Sequence, residues 1–531
     1  MRKFSSYGPV DTNLHYYAPR SELVERVYRQ LVGDNPDESG HYITVWGPRQ
    51  TGKTWLMQQA LFRLQQDERF DVLPLVLQTI PQERDIGGVL RYISADLARV
   101  LNKPVEGTDR LEAFEALFSR EALDKPLILI LDEFDTLSEE VIAGLVKSFR
   151  NIYIRRQNQP AKSSGDKDYL LHSLALIGVR AVLGIENVTG SPFNVQRSLH
   201  IPNLTFAEVK GMFDWYQQES GQVIEPDVVE RLFYETQGQP GLTCWFGELL
   251  TETYNENKPT ITMPDFEITY AAALDVLPNN TVLNIISKAR QNPYKQLVLE
   301  MFKTDEKIPF RYDDSLTNFL YLNGVVDWEL VDKTRRYLKF SSPFVQRRLF
   351  NYFANELFRV MGKLYEPFDD LSNVITAESL TIKNLLLRYQ KYLQQNRGWL
   401  LENAPRRSDL RIYEAVYHFN LYKYLAEFLT SYGGEVYPEF PTGNGQIDLL
   451  ITYEGQRYGI EVKSYLNLRQ YKEALQQAAR YGQRLGLAEI TLAFFIEAID
   501  DDNRNKYEAV YVDQVGGVTV KPVFVEIGSR A

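Results

Sequence analysis

Eight consecutive residues, Gly47-Pro48-Arg49-Gln50-Thr51-Gly52-Lys53-Thr54, have the types and spacing needed to hold a chain of phosphates. Gly47 and Gly52 let the backbone curl until successive N–H groups face one centre, and amides so arranged bind anionic oxygen. Lys53 brings a mobile ammonium to the outer phosphates, and the Thr54 hydroxyl is a hard ligand for Mg²⁺. Pro48, Arg49, Gln50 and Thr51 complete the cradle. Some seventy residues later, Leu127-Ile128-Leu129-Ile130-Leu131 runs into Asp132 and Glu133. Asp132 is expected in the shell of the ion, and Glu133 is placed to orient and activate a water.

A second group of charges lies near the other end of the chain. Asp448 stands in Gly445-Gln446-Ile447-Asp448-Leu449, and thirteen residues further Glu461 and Lys463 alternate with Ile460 and Val462. Residues two apart on a strand share a face, so Glu461 and Lys463 point together while Ile460 and Val462 enter a core. If the two strands pair through the Glu454-Gly455 turn, Asp448 comes beside them. Two carboxylates can then hold Mg²⁺, with Mn²⁺ a possible substitute. The ion would make a nucleophile of bound water, and Lys463 would steady charge on a phosphodiester.

The elements needed to position these groups can be read around them. Short apolar strands are predicted at His41–Trp46, Val72–Gln78, Leu127–Leu131 and Leu174–Val179. They alternate with helices such as Trp55–Leu64, as in an α/β unit with a mainly parallel sheet. Residues 162–167, Lys-Ser-Ser-Gly-Asp-Lys, read as an exposed loop. A mostly helical stretch follows, with a hairpin-like pair at Val325–Trp328 and Tyr337–Phe340 that suggests a winged-helix module. Its Arg335-Arg336 and Arg347-Arg348 pairs read as solvated charge or as phosphate contacts. The last block is expected as a helix at Tyr413–Leu429, strands at Gly434–Glu439, Gln446–Tyr453 and Gln456–Lys463, a helix at Leu468–Leu485 and a strand at Ile490–Ile496. The predicted domains are 1–258 (nucleotide-binding, with a helical lid), 259–400 (helical, winged-helix-like) and 401–531 (α/β).

Composition limits the remaining possibilities. The 531 residues suffice for several cores, and 44% hydrophobic with 24% charged residues is an ordinary soluble balance. A net charge of −11 argues against a protein that coats DNA all over, but not against local basic grooves. The 13% aromatic content is read chiefly as core packing. One cysteine, Cys244, excludes an internal disulfide and any multi-cysteine metal site, and the five histidines lack metal-ligand spacing. No apolar leader follows Met1, and the longest apolar runs fall well short of the roughly 20 residues of a membrane span. A cytoplasmic protein without a membrane partner is expected.

The first block resembles the AAA+/STAND P-loop ATPases, in particular the bacterial AAA-like group with Gly-Pro-Arg-Gln-x-Gly-Lys-Thr loops and Leu-Asp-Glu-Phe-Asp strands, over about residues 7–255. The resemblance implies ATP with Mg²⁺, hydrolysis, and assembly into a homo-oligomer. It also implies that Tyr17-Ala18-Pro19-Arg20 closes over the adenine, that Arg180 senses the terminal phosphate, and that Gly238-Gln239-Pro240 opens a lid helix. Arg197 is a further candidate, as a finger acting on a neighbour's nucleotide. The last block resembles the PD-(D/E)XK nucleases over about residues 409–500, with Asp448, Glu461 and Lys463 on the motif. Glu414 on the opening helix matches an extra acid of that superfamily, and Gln477 with Tyr481 its Gln-x-x-x-Tyr. Ile447 replaces the proline of the motif's name, which lowers its specificity. Together the resemblances imply an ATP-controlled nuclease acting on nucleic acid, DNA first, in phage defence or on a mobile element. The alternatives are a nucleotide switch whose nuclease-like domain binds without cutting, and a DNA-binding adaptor that reads through the wing.

Overall fold

In the computed structural model of the protein, described for all residues except 9, 78–84, 102–107, 179–195, 303–306, 333, 407–411, 442–445, 465–466 and 529–531, five short strands of the first half form one parallel sheet. They are β1 (Tyr42–Trp46), β2 (Asp71–Val76), β3 (Leu127–Asp132), β4 (Leu171–Gly178) and β5 (Gln196–His200), and they lie in the order β2-β3-β4-β1-β5. β1 and β4 are buried along their whole length, and β3 up to Asp132. Such continuously buried strands suit a sheet covered on both faces.

The alternation along β3 sets the two faces. Leu127, Leu129 and Leu131 pack with Val89, Leu90 and Ile93 of the helix Ile86–Leu101 and with Leu145 and Phe149 of Glu139–Gln157. Ile128 and Ile130 join Val27 and Leu31 of Ser21–Val32 and Leu56 and Ala60 of Lys53–Leu64. Because the strands are parallel, the loops that leave their C-terminal ends share one edge, where ligands of such sheets bind. Gly47–Thr54 leaves β1 there, and Asp132 ends β3 there.

The sheet is followed by helices Phe206–Ser220, Pro226–Thr236, Pro240–Glu248 and Met263–Asp275, with a small pair β6 (Val223–Ile224) and β7 (Thr260–Ile261) between them. Thr205 and Glu208 close a reciprocal cap on the first helix, which satisfies amides its first turn leaves open. The segment expected to be an exposed loop at 162–167 is partly interior. Ser164 and Lys167 are buried, because the Ser164 hydroxyl bonds Nδ1 of buried His172 at 2.7 Å and accepts from buried Arg156 at 2.8 Å.

The later half contains the antiparallel hairpin β8 (Val326–Asp332) and β9 (Arg335–Phe340), then helices Pro343–Leu357, Ile382–Leu400 and Glu414–Thr430. Arg335 and Arg336 are exposed, whereas Arg347 is buried on the inner face of its helix and is not surface charge. A six-stranded mixed sheet follows, made of β10 (Glu435–Pro441), β11 (Gln446–Tyr453), β12 (Gln456–Ser464), β13 (Glu489–Ile496), β14 (Tyr511–Val512) and β15 (Thr519–Glu526). Its order is β10-β11-β12-β13-β15-β14. β12, β13 and β15 are parallel, and the other pairings are antiparallel. Glu454 (φ 45°) and Gly455 (φ 72°) make the two-residue β11–β12 turn, whose positive φ values suit hairpin twist. The helix Leu468–Leu485 covers one face with Tyr471, Leu475, Ala478 and Leu485. Tyr389 and Tyr417 meet Phe495 from two other helices.

The chain divides into two compact units, Met1–Thr281 with Tyr321–Gly324, and Val282–Leu320 with Val325–Ala531. The expected boundaries at 258 and 400 do not mark this division: the helix Met263–Asp275 belongs to the first unit, and the hairpin shares the second with the mixed sheet. Among the described residues, no helix is long and apolar enough to cross a membrane.

Candidate functional site

The loop after β1 is shaped by close approach and by positive φ. A Cβ on Gly47 would lie 3.0 Å from Thr51 Oγ1 and 3.1 Å from the Ile201 carbonyl. Gln50 (φ 58°) and Gly52 (φ 84°) are left-handed, and the helix Lys53–Leu64 starts immediately afterwards. Its N-terminus adds partial positive charge to the loop. Lys53 folds back on the turn, donating to the carbonyls of Gly47 at 2.8 Å and Pro48 at 2.7 Å. Burial lowers its pKa to about 8, against the opposing pull of Glu133, Asp135 and Asp132.

Asp132 and Glu133 stand at the tip of β3. One oxygen of Asp132 accepts from the Thr54 hydroxyl at 3.1 Å, and the other from the Glu133 amide at 2.9 Å. Glu133 is itself left-handed (φ 56°), an unfavourable conformation for a residue with a side chain. Thr136 fixes it by donating to its carbonyl at 2.7 Å. Burial raises the pKa of both carboxyls, and for Glu133 the charges of Asp132 and Asp135 add to the rise. A cavity of about 810 Å³ lies over these groups, walled by Arg49, Lys53, Thr54, Trp55, Glu133 and Pro240 among others. That volume is within the usual range for small-molecule sites. Thr54 and Asp132 are the pair that can hold Mg²⁺. Among the described residues no cluster of three or more His, Cys, Asp or Glu could hold a metal by itself, so phosphate and water oxygens would have to complete the shell, as Mg²⁺ commonly requires.

The segment Gln239–Gly241 grips this loop from outside. Gln239 donates to the carbonyls of Arg49 at 3.1 Å and Gln50 at 3.4 Å, and the Gly241 amide donates to Gln50 at 3.2 Å. Pro240 thus reaches the cavity wall as the first residue of its helix. Arg20 does not contribute its side chain there. Its guanidinium donates to Pro202 O at 2.9 Å and Asn203 O at 3.3 Å and pairs with Glu208 at 3.3 Å, which fixes the segment it belongs to. Tyr17 meets the ring of Trp55 edge-on at 5.3 Å. Arg197 donates to Gln30 at 3.0 Å and lies 3.8 Å from Asp34. Arg180 lies outside the described residues.

In the second unit, Asp448 comes from β11, and Glu461 and Lys463 from β12. All three side chains converge. Asp448 Oδ2 accepts from the Val462 amide at 2.6 Å, and Lys463 Nζ lies 3.2 Å from Glu461 Oε1. They are 2%, 1% and 3% exposed, so the cluster is closed off from solvent. Gln477 donates to the Tyr481 hydroxyl at 2.9 Å, and burial together with the Glu461 charge pushes that hydroxyl's pKa up. Glu414 begins the helix Glu414–Thr430, but its side chain lies outside the described residues. Sequence reasoning missed His418 on that helix. It is buried, which lowers its pKa, while Asp448 opposes the shift and Lys463 adds to it. Its place one turn after Glu414, on the same helical face, was the available signal.

Residues 37–162, which carry the phosphate loop and β3, match the family described as AAA domain. Among solved structures, the chain is similar to a Walker-type ATPase of Pyrococcus abyssi, at 13% identity over 65% of this chain and 99% of that one, with a TM-score of 0.44. It is similar to the Aeropyrum pernix ORC2 protein (14% identity, 65% and 97% covered, TM-score 0.38). It is also similar to the Thermotoga maritima RuvB Holliday junction branch migration motor (14% identity, 61% and 92% covered, TM-score 0.35). The search of curated proteins found no match. The first unit thus carries an AAA-type segment in an α/β, P-loop NTPase-like fold with a parallel sheet.

Proposed function

We propose that the first unit binds and hydrolyses ATP and that the second cuts nucleic acid, DNA first, at a divalent-ion centre under the control of that cycle. The observation that carries the ATPase reading is the Thr54–Asp132 hydrogen bond, which joins the glycine-rich loop to the tip of β3 beside Lys53 and Glu133. Lys53 leaves the carbonyls of Gly47 and Pro48 to meet the outer phosphates. Glu133, held in its strained turn, orients a water for attack. Thr54 and Asp132 would hold Mg²⁺ in the first site, Asp448 and Glu461 would hold Mg²⁺ or Mn²⁺ in the second, and the ions would supply neutralisation of phosphate charge and a more acidic water. Lys463 stands beside the reacting phosphodiester, with Gln477, Glu414 and Tyr481 as supporting groups. Hairpin β8–β9 with exposed Arg335 and Arg336 serves as a winged-helix nucleic-acid contact, and assembly is homo-oligomeric. A role in phage defence or on a mobile element accords with such a pairing of activities.

A second reading has an observation in its favour. The burial of Asp448, Glu461 and Lys463 suits a nucleotide switch whose nuclease-like domain binds without cutting. Nicking of plasmid and of single-stranded DNA in Mg²⁺ or Mn²⁺, with and without ATP, separates the two. Under the nuclease reading Asp448→Ala abolishes cleavage and leaves ATP turnover intact, whereas Lys53→Ala abolishes turnover. A wild-type protein silent on DNA and RNA in every condition supports the switch.

A further inference from the structure

Arg49 differs from Arg20 and Arg197, the other described arginines that the sequence offers for the nucleotide. Arg20 and Arg197 are tied to carbonyls, carboxylates or an amide oxygen of their own unit. Arg49 is exposed on the cavity wall with Lys53, Thr54 and Glu133 and enters no ion pair among the described residues. Its charge is felt by both functional neighbours: it works against the Lys53 ammonium and favours the Glu133 carboxylate. Its backbone, by contrast, is fixed. Gln239 holds the Arg49 carbonyl at 3.1 Å, and the next residue is held through Gln50 by the Gly241 amide at 3.2 Å. An exposed guanidinium therefore hangs from an anchored backbone, on the same cavity wall as the ammonium of Lys53 and the carboxylate of Glu133.

We propose that Arg49 is a catalytic residue acting in cis, placing its guanidinium on the terminal phosphate so that one chain carries a complete hydrolytic set. This rests on the ATPase reading above. Phosphoryl transfer spreads negative charge over the terminal oxygens, and a planar guanidinium can donate to two of them at once. Lys53, a point charge that also faces the turn's carbonyls, cannot supply that paired geometry. Because Gln239 holds the Arg49 carbonyl, the placement depends on the position of the segment 238–241.

The test uses the full chain. ATP turnover is measured for wild type, Arg49→Ala, Arg49→Lys and Lys53→Ala over a range of protein concentrations, with binding of a fluorescent ADP analogue measured alongside. The expected result for Arg49→Ala is a kcat lower by about 10²–10³-fold, as for loss of a preorganised donor, with ADP affinity within about threefold of wild type. Arg49→Lys recovers only part of the rate, and wild-type turnover per chain stays constant on dilution. Three results overturn the assignment: a kcat for Arg49→Ala within about threefold of wild type, an ADP affinity that falls in step with kcat, or turnover per chain that is lost on dilution. A wild type with no ATP turnover sensitive to Lys53→Ala overturns the underlying ATPase reading, and Arg49 with it.

Discussion

Lys53 gives nucleotide binding a pH dependence whose direction follows from the geometry. Lys53 is 9% exposed, and its ammonium faces the carbonyls of Gly47 and Pro48. Burial lowers its pKa from the ordinary 10.5 to about 8. Phosphate charge beside it favours the protonated form and raises the pKa again. The nucleotide-bound state therefore holds this proton more tightly than the free state, so affinity falls as pH rises through about 8. With half of the free protein neutral at Lys53 at that pH, binding takes up about 0.1, 0.5 and 0.9 proton per chain at pH 7, 8 and 9. Calorimetric titration with ADP in buffers of different ionisation enthalpy measures that uptake directly. Above pH 8 the phosphates themselves, with a last pKa of about 6, contribute little. Lys53→Arg, whose guanidinium keeps its proton throughout, removes the uptake. A wild-type value below about 0.2 proton at pH 9 refutes the reasoning, as does equal uptake in Lys53→Arg.

Two further substitutions probe what positions the site. Gly238→Ala adds a Cβ 2.0 Å from the Leu204 carbonyl at a residue with φ +66°, so a loss of about 2–4 kcal/mol is expected in urea unfolding of the first unit; a loss under about 1 kcal/mol contradicts the clash. Arg20→Met removes the bonds to Pro202, Asn203 and Glu208 and is expected to cost about 1–3 kcal/mol of stability with ADP affinity kept within about twofold; a tenfold loss of ADP affinity at unchanged stability returns Arg20 to the nucleotide site.

The sequence was most legible where local pattern and tertiary need coincide. Gln446–Tyr453 and Leu468–Leu485 have the expected bounds, and the Leu-Ile-Leu-Ile-Leu run lies in β3. Residues set by non-local partners were not legible. No periodicity places β4 between β1 and β3, or extends the last sheet through β15 and β14. Lys167 and Arg347 are charged types that normally mean surface, and only packing with distant segments buries them. Arg20 stands in a plausible place along the chain, yet its guanidinium finds the 202–208 segment first. The interior position of Asp448, Glu461 and Lys463 was hidden for the same reason: alternation gives the face a residue shares, not what covers it.

Hydrolysis at the tip of β3 is the claim on which the rest depends, and Glu133→Gln tests it with the least disturbance, since the amide keeps the shape of the side chain. Phosphate release and nucleotide binding, measured on the same protein, are expected to separate. ATP remains bound at wild-type affinity while turnover falls by about 10²–10⁴-fold, the usual worth of a general base. Turnover unchanged by this substitution, with ATP bound, would contradict the account.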